Sequence, residues 1–225
     1  MPLDFGPFLL SMQLAGATTA VLLVAATPLA WWLAHSPSRW AKGIEAVVAL
    51  PLVLPPTVLG FYLLILMGPE GWVGGPWLRL TGHSLTFSFT GLVMASTLYS
   101  LPFAVQPLQG AFESLDKQIL EAAAIDGAPV SRIFRNIVLP LSSRGFLMAG
   151  ILTFAHTVGE FGVVLMMGGN IPGQTRVVSI DIYEHVETMD YAAAHRMSAM
   201  LLAFSFCVLI VVYGWNSGWR RIRFR

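Results

Sequence analysis

The chain has 225 residues, 56% of them hydrophobic and only 11% charged, against roughly 25% charged in an average soluble domain. So few charges cannot cover a soluble body of this size, and a net charge of +1 excludes the basic footprint of a nucleic-acid binder. A single cysteine, Cys207, excludes a disulfide framework and a cysteine metal cluster. What remains is an all-α integral membrane protein, expected as one transmembrane domain over residues 1–225.

The charges mark the span ends. No Asp, Glu, Lys or Arg lies between Asp4 and Arg39, between Glu45 and Glu70, between Arg79 and Glu113, or between Arg196 and Arg220, and each gap exceeds the ~20 residues that cross a bilayer. With a less clean stretch after Arg144, this predicts five spans near 8–34, 45–67, 86–109, 139–158 and 197–218. The first carries one helix breaker, Pro28. The second carries Pro51, Pro55, Pro56 and Gly60, and the third Pro102 and Pro107. Breaks of that kind free backbone groups that hydrocarbon cannot satisfy. These two spans therefore face the protein interior or an aqueous path, or else are kinked packing helices. Glu160 interrupts the fourth span, and 161–168 reads as a re-entrant or partial sixth segment.

Five spans put the termini on opposite sides. With the N-terminus outside and the C-terminus cytoplasmic, ten basic residues lie inside (Arg39, Lys42, Lys117, Arg132, Arg135, Arg144, Arg220, Arg221, Arg223, Arg225) and three outside. The N-terminus lacks the basic start of a cleaved signal peptide.

The loop between the third and fourth spans, 113–138, is the most distinctive stretch. Seven of the 25 charges fall between Glu113 and Arg135. Asp116 can cap a helix that stops near Gly127, a residue free to take positive φ. Pro129 fits the first turn of a second helix, along which Val130, Ile133, Phe134, Ile137 and Val138 form one apolar stripe. Such a pair could lie on lipid headgroups or dock on a protein. Anionic lipid would repel its acids, and the small side chains of Ala122, Ala123 and Ala124 admit close approach, so docking is favoured.

The pattern Glu121-Ala122-Ala123, Gly127, Ile137, Leu139-Pro140 resembles the EAA loop of binding-protein-dependent ABC importer permeases, at every consensus position. That resemblance covers nearly the whole chain. It implies a type I importer permease fold, a coupling helix seated on a cytoplasmic ATPase, and a homodimer with the path on its two-fold axis. The implied partners are two ATPase subunits, which bind the ATP and Mg, and a periplasmic oxyanion-binding protein. This chain has no Gly-Lys-Ser/Thr phosphate loop and no cofactor of its own is expected. Leu50 to Gly60 followed by Met67-Gly68 looks like the second core span of molybdate permeases. Gly159-Glu160-Phe161-Gly162 and Asn170-Ile171-Pro172-Gly173-Gln174-Thr175-Arg176 are similar to the segment that molybdate and, less closely, sulfate permeases carry after the coupling loop. The implied role is import of molybdate through the cell inner membrane, with sulfate and tungstate as alternatives.

Glu160 is the one carboxyl set in an apolar run, and His156 lies four residues earlier. Two readings stay open: a His156–Glu160 pair in the pathway, or a carboxyl that caps backbone or pairs with a cation such as Arg196. A carboxylate should not touch an oxyanion directly. Hydroxyls donate without trapping, so Ser96, Thr97, Tyr99, Ser100, Gln106, Thr153 and Thr157 are candidate contacts or packing hydroxyls. The pathway and gating candidates are thus Pro51, Pro55, Pro56, Thr57, Ser96, Ser100, His156, Gly159, Glu160 and Gly162. No catalytic residue and no metal spacing emerges. An intramembrane enzyme using His156 and Glu160 lacks a nucleophile, and a non-transporting adaptor would leave the proline-broken spans without a purpose.

Overall fold

The computed structural model describes the backbone of residues 4–221 and the side chains of residues 4–210; among them there are helices and connecting turns but no strand. The expected basic tail at Arg220, Arg221, Arg223 and Arg225 lies outside the described side chains.

The charge-free first stretch forms one helix, α1 (Gly6–His35), with Pro28 inside it. Its buried residues Leu14, Thr18, Leu22, Ala26, Ala30 and Leu33 recur at spacings of three and four, which is one helical face. The second expected span is not one helix. It divides into α2 (Arg39–Val53) and α3 (Pro56–Met67), bent from each other by 114°. The prolines are the cause: Leu54, which precedes Pro55, is extended at φ −73°, ψ 137°, and Pro56 then opens the next helix. A short helix, α4 (Gly74–Thr81), follows. The third expected span divides at Ser100 into α5 (Phe89–Tyr99) and α6 (Leu101–Glu113).

Beyond it come α7 (Lys117–Ile125), α8 (Val130–Ile133), a π turn over Phe134–Val138, and α9 (Leu139–Leu141). The widened turn ends just before Pro140, whose ring would clash with the carbonyl four residues back in a regular helix. Pro129 caps α8 rather than opening its first turn. The fourth expected span therefore begins bent as well: Val130–Leu141 and α10 (Ser143–Val158) meet at 71°. The segment after Glu160 is a short helix, α11 (Gly162–Gly168). Then come α12 (Val178–Glu187) and α13 (Tyr191–Arg221). By length and composition, α1 and residues Tyr191–Ile210 of α13 can each cross a membrane, and each of the two bent pairs can do so if counted as one span.

Two apolar cores divide the chain. In the first, Leu22, Ala26, Ala30 and Leu33 of α1 meet Val48 of α2, Ala104, Leu108 and Phe112 of α6, Val138, and Ala149 of α10. In the second, Leu14 of α1 meets Leu63 and Met67 of α3, Leu92 and Ala95 of α5, Val163, Val164 and Met167 of α11, and Ile180 of α12. The breaks at Leu54–Pro55, Ser100 and Gly159–Phe161 each fall where the chain passes from one core to the other. Among the described residues, α1 contributes buried apolar side chains to both cores without a break.

The cores rest on close packing, since apolar side chains gain little by leaving lipid for protein. Gly60 and Gly162 carry the contact of α3 with α11. A Cβ on Gly60 would sit 2.9 Å from Cβ of Met166, and one on Gly162 would sit 2.7 Å from Cβ of Pro56. Large apolar side chains such as Val24, Leu202 and Phe206 point outward from their helices, as a lipid-facing surface requires.

Candidate functional site

The three breaks meet at a cleft of about 510 Å³ lined by Pro56, Thr57, Tyr99, Ala155, His156, Gly159, Glu160, Phe161 and Gly162. Each break contributes: the proline break supplies Pro56 and Thr57, the Ser100 break Tyr99, and the glycine break residues 159–162. Pro55, next to the cleft, is the N-cap of α3, while Pro51 lies within α2 on the other side of the bend.

His156 is fixed from two directions. Its ring stacks on Phe103 with centroids 3.9 Å apart and lies 4.8 Å from Tyr99. Its Nδ1 is 2.9 Å from the Ser100 hydroxyl, which also lies 3.1 Å from the Thr157 hydroxyl, and Thr157 in turn donates to the carbonyl of Thr153. Ser100 and Thr157 are thus buried links within the protein, whereas Thr57 and Tyr99 line the open space. The aromatic partner Phe103 had no sequence signal beyond its place on a helix.

Glu160 is only 4% exposed, and neither carboxyl oxygen makes a hydrogen bond of full geometry. No ion pair joins it to His156 or to Arg196 among the described residues. Both sequence readings of Glu160 therefore need replacing, because His156 is held by Ser100 and the carboxyl caps nothing. The Ser96 hydroxyl of α5, itself buried, lies beside the carboxyl and is the side-chain donor that bears on it. The Glu160 backbone is better anchored: its carbonyl accepts from the Ser179 hydroxyl at 2.6 Å, which ties the break to α12.

The segment after α11 is built around side chains the sequence singled out only as a run. Thr175 donates to the Gly168 carbonyl at 2.6 Å and accepts from the Ile171 N–H, which closes the loop after α11. Arg176 pairs with Glu184 at 3.1 Å and with Asp181 at 3.9 Å, and Asn170 also donates to Glu184. Burial raises the Asp181 carboxyl above its ordinary range, opposed by His185 and Arg176. The hydrogen bond to Glu187 raises the exposed Tyr183 phenol. Val178 N–H donates to Ser11 at 2.8 Å, so α12 is pinned to α1 as well as to Glu160.

At the opposite end, α7 has no buried residue. Asp116 caps it by accepting from Gln118 N–H, as its sequence position predicts. Gly127 stands at φ +76°, with its N–H on the Ala124 carbonyl and the Ala128 N–H on Ala123. This is the Schellman ending that glycine permits. Glu121, Ala122 and Gly127 are exposed and Ala123 is partly covered. The apolar side chains beside them are strongly exposed, Ile125 at 85% and Val130 at 83%. Ile137 is half-buried and Leu139 and Pro140 are exposed, so of the consensus positions only Ala123 and Ile137 are partly covered. Leu115, Leu120, Ile133 and Phe134 anchor the loop to the first core. No group of three or more His, Cys, Asp or Glu able to hold a metal occurs among the described residues.

A family model described as binding-protein-dependent transport system inner membrane component matches residues 26–219. A molybdenum transport system permease protein of Azotobacter vinelandii is 54% identical over 216 residues, covering 95% of this chain and 96% of that protein. Its counterpart in Escherichia coli K12 is 32% identical over 204 residues, 90% of this chain and 89% of that one. A probable sulfate transport system permease protein of Chlorella vulgaris is 29% identical over 211 residues, covering 94% and 79%. Among solved structures, a bacterial ABC transporter importing the acidic polysaccharide alginate matches with a TM-score of 0.64 at 19% identity, over 96% of this chain and 80% of that one. The inward-facing MetNI methionine ABC transporter matches at 0.63 and 15% identity, over 92% and 94%. At these identities the two structures speak for the fold alone, which is that of an ABC importer permease.

Proposed function

The chain belongs to the family of binding-protein-dependent transport system inner membrane components, and from that premise we propose that it is the permease subunit of an ATP-driven importer of molybdate. It is a transport component rather than an enzyme. The observation that carries the cargo is the 54% identity to a molybdenum permease over almost the full length of both chains. Sulfate and tungstate are the competing tetrahedral dianions.

In this reading the chain is a single membrane domain with the five assigned spans, the second to fourth of them broken, its N-terminus outside and its C-terminus in the cytoplasm. Two copies enclose the path. An outer binding protein delivers the anion, and two cytoplasmic ATPase subunits hold ATP and Mg. Glu121, Ala122, Ala123 and Gly127, with Ile137, Leu139 and Pro140 behind them, couple the chain to the ATPase. A helix with no buried residue, flanked by exposed Ile125 and Val130, supports this assignment because such apolar surface in water calls for a partner. The pathway assignment rests on the cleft: Pro56, Thr57, His156, Gly159, Glu160 and Gly162 line it, Pro51 and Pro55 flank the bend, and Ser96 and Ser100 lie behind it.

The test is uptake of radiolabelled molybdate by proteoliposomes carrying the permease, its ATPase and its binding protein. Competition by excess tungstate with little competition by sulfate is expected. Uptake blocked by sulfate alone would reassign the cargo, and ATPase activity that ignores every oxyanion would remove the importer reading.

A further inference from the structure

We propose that Glu160 works as an uncharged, proton-bearing carboxylic acid, and that its hydroxyl is a hydrogen-bond donor to the oxyanion when the seam between the two cores opens. The inference rests on the permease reading and adds to it the chemistry of the one charged-type residue that the topology leaves unexplained.

The geometry carries it in three steps. First, both carboxyl oxygens are enclosed, with the neutral Ser96 hydroxyl beside them, no hydrogen bond of full geometry and, among the described residues, no ion pair. The groups around them are neutral donors and acceptors: Ser96 and the Tyr99 phenol from α5, His156 from α10, and Thr57 from α3 across the cleft. Helix α11 contributes no titratable side chain, and α12 contributes the Ser179 hydroxyl, which is spent on the Glu160 carbonyl. An ionised carboxylate so placed would bear the full cost of losing water without a counter-ion, while the neutral acid bears only that of a polar group.

Second, the acid sits where three helix breaks meet, between one core tied to α7 and another tied to the segment after α11. Three of the chain's passages between the cores are broken here, so this is where the packing between them is interrupted. Third, a tetrahedral dianion carries no proton of its own near neutral pH and can only accept. Thr57 and Tyr99 each offer one hydroxyl to the cleft, and a protonated Glu160 offers a third. A deprotonated Glu160 would repel the same ion. The proton stays on Glu160 throughout; nothing is transferred to the cargo.

Infrared difference spectra of the assembled complex, wild type minus Glu160→Gln, test the proton without reference to transport. A protonated-carboxyl band at neutral pH that disappears on alkaline titration is expected. A carboxylate at neutral pH overturns the inference. Uptake tests the donor. Glu160→Gln, whose amide still donates, retains more uptake than Glu160→Leu and shows a smaller fractional loss at alkaline pH than wild type. Glu160→Leu loses about tenfold or more, the cost of one missing bond to a charged group. If Gln and wild type decline identically with pH, or if Leu transports like Gln, the donor role is wrong. A band present with no oxyanion uptake by the wild-type complex sinks the permease reading itself. Uptake with no band sinks this inference alone.

Discussion

The two cores are made from the same apolar residue types, yet they are held differently. The core that includes Phe112, Val138 and Ala149 is a three-helix packing of α1, α6 and α10, with the 113–138 loop fastened to it by Leu115, Leu120, Ile133 and Phe134. The core around Leu63, Leu92 and Val163 is assembled from shorter helices, with glycines at its closest contact and one side laced by Thr175, Arg176, Ser179 and Glu184. The first core is a continuous packing of longer helices, the second is assembled from short helices between breaks, and polar side chains gather at the boundary where those breaks meet.

Phe112→Ala gives the largest effect that separates the bodies. A fully buried ring at the base of the 113–138 loop is removed, at a cost of about 3–5 kcal/mol. Thermal unfolding of the purified permease should fall markedly, and the complex should lose its ATPase subunit. An unchanged melting temperature would break the picture of a rigid inner body. Next in size is Gly60→Leu, which forces α3 away from α11 and costs about 1–3 kcal/mol. Here ATPase binding should survive in pull-down while uptake is lost; loss of both would mean that the cores are one cooperative unit.

Gly127→Val sharpens the comparison at the α7 surface. Nothing crowds the position, so the cost is that of the left-handed backbone, about 1–2 kcal/mol, and Gly127→Asn should be far milder. The exposed Glu121→Lys should leave stability within about 0.5 kcal/mol yet abolish ATP-driven uptake. Normal uptake in both Gly127→Val and Glu121→Lys would remove α7 from the coupling path.

The smallest effect belongs to Asp181→Asn. Burial holds this carboxyl above its ordinary range, so the folded state binds its proton more tightly than the unfolded one. Its contribution favours folding at acid pH and fades as pH rises from the ordinary carboxyl range through the raised one. The Asn variant should show a flatter pH dependence of unfolding, matching wild type most closely at acid pH and departing from it as Asp181 ionises. A steeper one would mean that Arg176 and His185 outweigh burial.

Much of this was legible in advance. The charge-free run from Asp4 to Arg39 became α1, and Asp116 and Gly127 bound α7 as their chemistry requires, because caps and apolar runs act within a few residues. Pro55 and Pro56 announced a break, yet nothing local gave the 114° bend. Pro102 likewise announced the Ser100 break, which it follows in the first turn of α6, whereas the π turn before Pro140 was hidden, since it depends on what the next helix packs against. Thr57 was found from its proline neighbours. Phe103 and Ser179 were not, because their partners lie 53 and 19 residues away in sequence.

The sequence by itself determined the solvent, the helical class and the family, since each follows from composition or from residues at short fixed spacing. Only the tertiary structure decided that the breaks share one seam, that His156 belongs to Ser100, and that Glu160 has no ion pair among the described residues. Those facts concern which distant helices meet, and helices that pack through close contact in lipid choose their neighbours by shape, which no local pattern of residues records.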